Sequence, residues 1–219
     1  MIDSQVHTLD EKLKALATRR ARRSGLNWAA LADQCTELVV FGSQATGLQT
    51  SISDLDILAI GKHEVAMVLP NVRGVDLVFR TEQEVLSPNW LKSELAGHIA
   101  VYGQWLQGVS RWRAKALELL SESNDAAEAK RRRVERLANG LRRHWDRLTP
   151  DFRRRNLVTL RREKQRHELL QSGFAVPPTR LLDIWAKRDS VPNGSNLPTL
   201  LSDDLPWIVE EARNANINA

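Results

Sequence analysis

Three aspartates and a Gly-Ser pair hold the reactive potential of this 219-residue chain. Asp54 and Asp56 stand in Ser53-Asp54-Leu55-Asp56-Ile57-Leu58, and Asp76 lies inside Val75-Asp76-Leu77-Val78-Phe79. Side chains on a strand alternate faces, so Asp54 and Asp56 point one way while Leu55 and Ile57 point the other. Two carboxylates on one face can share a metal. A third within an apolar run predicts a charge that is costly to bury unpaired, and bound cations would remove that cost. Hard ions such as Mg²⁺ prefer carboxylate and phosphate oxygens. Two of them about 3.5–4 Å apart clamp the attacking and leaving oxygens of an in-line displacement. Upstream, Val39-Val40-Phe41 runs into Gly42-Ser43-Gln44-Ala45-Thr46-Gly47. A glycine at a strand end lets the backbone approach a phosphate, and the start of the next helix offers unpaired N–H groups and a positive dipole end. Ser43 adds a hydroxyl donor, or serves as an ordinary helix N-cap, a role compatible with phosphate binding. The chemistry these residues suit is metal-assisted transfer of a nucleotidyl group.

These groups need strands to hold them. Strands are expected at 37–41, 54–60 and 75–80, with the phosphate-binding turn at 42–47 ended by Gly47 in a left-handed conformation. The apolar run at 54–60 predicts burial on both faces. Helices are expected from Leu9 to about Arg23, with Gly25 as the stop, and from Trp28 to Gln34. Val65 to Leu69 forms a short helix or strand, and Pro70-Asn71 a turn. Ser87-Pro88 has the form of a helix start, with the helix running to about residue 100 and an edge strand at 102–106. Beyond Gly108, helices are expected near 110–122, 125–148, 151–172 and 178–188. A loop at 191–196 then precedes a last helix near 206–214. The fold class is therefore α/β (α+β): a small mixed sheet flanked by helices over 1–108, then an all-α, Arg-rich helical bundle over 109–219.

Gly42-Ser43-x-Ala45-x-Gly47, a spacer, Ser53-Asp54-x-Asp56 and the later Val75-Asp76-Leu77 together resemble the DNA polymerase β-type nucleotidyltransferase superfamily, in particular its minimal members, over roughly residues 28–107. The resemblance implies that Gly42 and Ser43 contact a nucleoside triphosphate. It implies too that Asp54 and Asp56 bind two Mg²⁺ ions, with Mn²⁺ as the alternative, and that Asp76 binds the catalytic ion and helps deprotonate an acceptor hydroxyl. Minimal members usually carry Arg where this chain has Thr46. On a predicted helix, Arg162 and His167 have the Arg-to-His spacing of HEPN ribonuclease domains, a pattern an Arg-rich helix also produces by chance.

Composition bounds the remaining questions. The hydrophobic content, 42%, is sufficient for a real core. The N-terminus lacks the basic and apolar regions of a signal peptide, and no run approaches transmembrane length. A cytoplasmic, membrane-free protein is expected. Its lone cysteine, Cys35, excludes a disulfide framework and reads as a small buried residue. Most of the seven tryptophans read as core, with Trp28 or Trp90 as candidates to stack on a base. Residues 125–166 hold 15 Lys and Arg against 6 Asp and Glu. This segment is either a solvated helix face or a surface for a polyanion, with Arg131, Arg132 and Arg133 as candidate acceptor-binding residues. It favours RNA or tRNA as acceptor over a cationic small molecule. A protein acceptor, as in toxin–antitoxin pairs, and a nucleic-acid-binding protein without turnover are the alternatives. The oligomeric state is open.

Overall fold

The computed structural model describes residues 11, 14–20, 22, 23, 25, 27–51, 53–62, 74–122 and 124–188, with side chains to Ile184. The expectations for 65–71, 191–196 and 206–214, together with Trp207 and the Trp185 side chain, lie outside these residues. The chain divides into two compact units, one holding residues up to Leu91 with His98–Leu117, the other Lys92–Gly97 with the chain from Glu118.

In the first unit, helical residues 14–20 and 22–23 (α1) precede α2 (Trp28–Gln34), β1 (Cys35–Phe41), α3 (Gly42–Ala45), β2 (Leu55–Gly61) and β3 (Val75–Thr81). There follow α4 (Glu82–Val85), α5 (Pro88–Leu91), α6 (Glu94–Tyr102), whose residues up to Gly97 belong to the second unit, β4 (Gln104–Gln107) and α7 (Arg113–Glu118). The strands form one mixed sheet in the order β3-β2-β1-β4, with β1 antiparallel to β2 and β4, and β2 parallel to β3. The two central strands are buried on both faces, which is why they read as unbroken apolar runs: Leu38, Val39, Val40, Leu55, Ile57, Leu58, Ala59 and Ile60 are all buried. On one face Leu31 and Ala17 pack against Leu38, Val40, Leu55 and Ile57. Each fully buried Leu or Ile there contributes ~1.5–3 kcal/mol.

Two expectations are corrected. β3 is the sheet's edge among the described strands, and Asp76 is exposed, so no burial cost attaches to its charge. The helix expected from 87 to 100 is two helices. Ser87 caps α5, its Oγ accepting from the Trp90 N–H at 3.3 Å, but Ser93 caps again, accepting from the Ala96 N–H at 3.1 Å. A second N-cap restarts the backbone in a new direction.

The second unit is built on α8 (Asn124–His144), α9 (Pro150–Gln171) and α10 (Thr179–Arg188). Thr149 caps α9, with Pro150 in its first turn where the missing N–H is harmless. The apolar stripes of α8 and α9 meet through Ala138, Leu141 and Leu160, while Leu169, Leu170 and Leu182 join α9 to α10. Among the described residues, no helix is long and apolar enough to cross a membrane.

Candidate active site

Strand register brings the aspartates together. Asp56 sits opposite Phe41 on β1 and level with Asp76 on β3, so the end of β1 and the starts of β2 and β3 meet at one end of the sheet. Asp54 lies in the loop one residue before β2. Gly74, one residue before β3, accepts a hydrogen bond from the Leu55 N–H at 2.9 Å, and a Cβ there would lie 4.0 Å from Asp54 Oδ1. Asp54 and Asp76 are exposed, while Asp56 is half-buried. Burial first, then the charges of Asp76 and Asp54, push the Asp56 carboxyl from 3.8 up to about 6. The three groups thus share an electrostatic problem that a cation would relieve. Among the described residues no three His, Cys, Asp or Glu side chains close into a metal cage. The donor set still fits a hard divalent ion: all oxygen, negatively charged, and open on the solvent side.

Gly42 holds this arrangement together. Its φ is +70°, and a Cβ on it would fall 2.1 Å from Asp56 Oδ2. The Asp56 carboxylate therefore occupies the space a side chain at residue 42 would take. α3 is a single turn capped by Phe41 with no side-chain cap, so Ser43 is its second residue and not its N-cap. No hydrogen bond among the described residues takes the Ser43 hydroxyl. A four-residue helix develops little macrodipole, and the expected dipole contribution gives way to the N–H groups of the tight turn itself. Gly47, at φ +70°, ends it as expected. Thr46 folds back, its Oγ1 donating to the carbonyls of Gly42 at 3.3 Å and Ser43 at 3.4 Å.

Sequence reasoning missed Arg20 and Gln44. Arg20 Nη1 donates to the Ser53 carbonyl at 2.5 Å, and the buried Gln44 amide, with its oxygen turned to the guanidinium, accepts from both Nη atoms at 3.3 Å. Ser53 Oγ also accepts from the Thr50 N–H at 2.8 Å. These bonds fix the loop that delivers Asp54. Arg20 is one of a run of basic residues on α1, and no spacing distinguishes it.

Other candidates fall elsewhere. Trp90 is buried, edge-on to Trp112 at 5.8 Å with Arg80 over its ring, so it offers no face to a base. Trp28 is half-buried against the sheet core. Cys35 is buried, and burial pushes its thiol up to about 11. His98 packs between Phe41 and Tyr102. Arg162 makes a bidentate pair with Asp183 at 2.8 and 2.7 Å, whereas His167 Nδ1 lies 3.0 Å from the Ala127 carbonyl. Five residues apart on a helix, the two face different neighbours. Arg131 pairs with Glu128 and Glu135, Arg132 with Glu128 at 3.6 Å, and Arg133 with Glu163 at 3.4 Å. Among the described residues, exposed Arg136, Arg143, Arg147, Arg154 and Arg155 have no acidic partner, and all but Arg136 cluster around the α8–α9 turn.

The nucleotidyltransferase domain family model matches residues 30–105. No curated protein sequence matches the chain. Among the solved structures similar to the chain are two with a bound nucleotide. One is a toxin–antitoxin with AMP-PNP, at 18% identity and TM-score 0.31, covering 54% of this chain and 93% of that one. The other is the spectinomycin adenyltransferase AAD(9) from Enterococcus faecialis with ATP and spectinomycin, at 12% identity and TM-score 0.41, covering 91% and 96%. The matched stretch, about a third of the chain, holds β1, the Gly42-Ser43 turn and all three aspartates.

Proposed function

We propose that the protein is a metal-dependent nucleotidyltransferase that moves a nucleoside monophosphate from an NTP to an acceptor hydroxyl. The observation that carries this reading is the Asp56 carboxylate, set level with Asp76, close after Asp54, and lodged in the space left by the missing Gly42 side chain. Asp54, Asp56 and Asp76 would hold Mg²⁺, or Mn²⁺, which when bound neutralises charge on the attacking and leaving oxygens. Gly42 and Ser43 receive triphosphate oxygens through backbone N–H groups and the hydroxyl. Asp76, exposed at the sheet edge, takes the acceptor's proton as the new O–Pα bond forms. The Pα–O bond to the β-phosphate breaks, and pyrophosphate leaves.

RNA or tRNA is the acceptor this reading favours, because the helical unit carries the chain's excess of Arg. The unpartnered Arg residues around the α8–α9 turn are better placed to meet phosphates than Arg131, Arg132 and Arg133, whose charges already face carboxylates. The test is incubation with each labelled NTP, Mg²⁺ and tRNA, total RNA or cell protein. Label in RNA, lost in Asp56→Asn, supports the reading; label only in protein moves the acceptor to a polypeptide; no label in any fraction removes turnover.

A further inference from the structure

The helical unit contains a slot of about 480 Å³ between α9 and α10, beginning at Val158, about one turn beyond Arg154 and Arg155. Gln165 closes its floor, entirely buried, with neither amide atom finding a hydrogen-bond partner among the described residues. A buried amide left unpaired on both sides destabilises a fold, and cores of this kind usually avoid it. Arg161 and Arg180 line the walls. Arg162 is held in place by Asp183, and the aliphatic side chains of Val158 and Ile184 are 43% and 38% exposed at the same slot.

We propose that this slot binds a nucleotide unit, base inward. An inorganic phosphate would use only the guanidinium groups and leave Gln165 and the aliphatic walls unemployed. A carboxamide donates and accepts side by side, matching the paired donor and acceptor on the edge of a base, while Val158 and Ile184 cover the base's apolar faces. Arg161 and Arg180 then meet the phosphate, and Arg162, fixed by Asp183, keeps its fork in a set orientation. The volume is in the range of small-ligand sites. The same chemistry is presented by a free mononucleotide and by one residue of a single strand. The inference deepens the reading of a nucleic-acid acceptor, and it stands on this slot and not on the aspartates.

The experiment is photo-crosslinking of the full chain with an azido-AMP in the absence of metal, followed by identification of the labelled peptides, with inorganic phosphate, AMP and a 5′-phosphorylated trinucleotide as competitors. Label is expected on α9 or α10, displaced by AMP or the trinucleotide at concentrations at least tenfold below those needed for phosphate. The better competitor identifies a free nucleotide or a strand as the ligand. Gln165→Leu should keep or raise Tm while reducing this label at least tenfold, and Arg180→Glu should reduce it with Tm unchanged. Label confined to residues 40–60, unchanged label in both variants, or a fall in Tm for Gln165→Leu would each overturn the proposal. Transfer of label to RNA, scored separately and dependent on Asp56, tests the catalytic reading alone.

Discussion

Replacing Asp56 with Asn should make the metal-free protein more stable and the enzyme inactive, and the stability gain should depend on pH. The folded Asp56 carboxyl sits at about 6 against an ordinary value of 3.8, so the native state binds its proton more tightly than the unfolded chain does. The sign follows from that. Below 3.8 the group costs nothing; the penalty grows as pH rises to about 6 and is complete above it. The full gap corresponds to ~3 kcal/mol at 1.36 kcal/mol per pH unit. Because the group is only half-buried, solvent screening reduces this to about 1–2 kcal/mol. Asn cannot ionise, so the variant escapes the penalty. Urea unfolding without metal should therefore show Asp56→Asn more stable by about 1–2 kcal/mol at pH 8 and nearly equal to wild type at pH 4. Adding Mg²⁺ should stabilise the wild type and leave the variant largely unmoved. Nucleotidyl transfer should fall by orders of magnitude, since several kcal/mol of transition-state stabilisation are lost. A gain equal at both pH values, a loss at pH 8, or activity within tenfold of wild type would refute the reasoning.

Gly42→Ala should cost about 1–3 kcal/mol from its left-handed backbone alone, and its Cβ must also displace the Asp56 carboxylate, so Mg²⁺-dependent stabilisation should disappear with activity. Ser43→Ala should act more gently, weakening NTP binding by roughly 0.5–1.5 kcal/mol in a titration; an effect equal to that at Gly42 would give Ser43 a direct part in the chemistry. Arg20→Ala should loosen the loop before Asp54 and lower kcat with little change in the salt dependence of RNA binding, with partial recovery in Arg20→Lys. Neutralising Arg143, Arg147 and Arg154 together should reduce the slope of log affinity for tRNA against log salt by about 0.7–0.9 per lost phosphate contact. The same treatment of Arg131, Arg132 and Arg133 should reduce it less, and a flat salt response in the wild type would remove nucleic acid as acceptor.

The sequence alone determined the strands at the site and the chemistry they could support. β1 and β2 announce themselves because strands buried on both faces must be apolar at nearly every position. Ser87-Pro88 marks a helix start through local backbone chemistry, whereas Asp54 falls one residue before β2, where strand alternation does not set its direction. Tertiary structure decided what depends on neighbours distant in the chain. Whether Asp76 is buried depends on which strand lies at the sheet edge, and that is a matter of strand order, invisible in a run of Val, Leu and Phe. The grip of Arg20 on Ser53 crosses 33 residues, and the lodging of Asp56 against Gly42 needs the β1–β2 register. The pairing of Arg131, Arg132 and Arg133 with carboxylates was partly local, at helical spacings to Glu128 and Glu135, but Arg133 reaches Glu163 only because α8 and α9 pack side by side. Composition counts charges; only the fold decides which of them already have a partner.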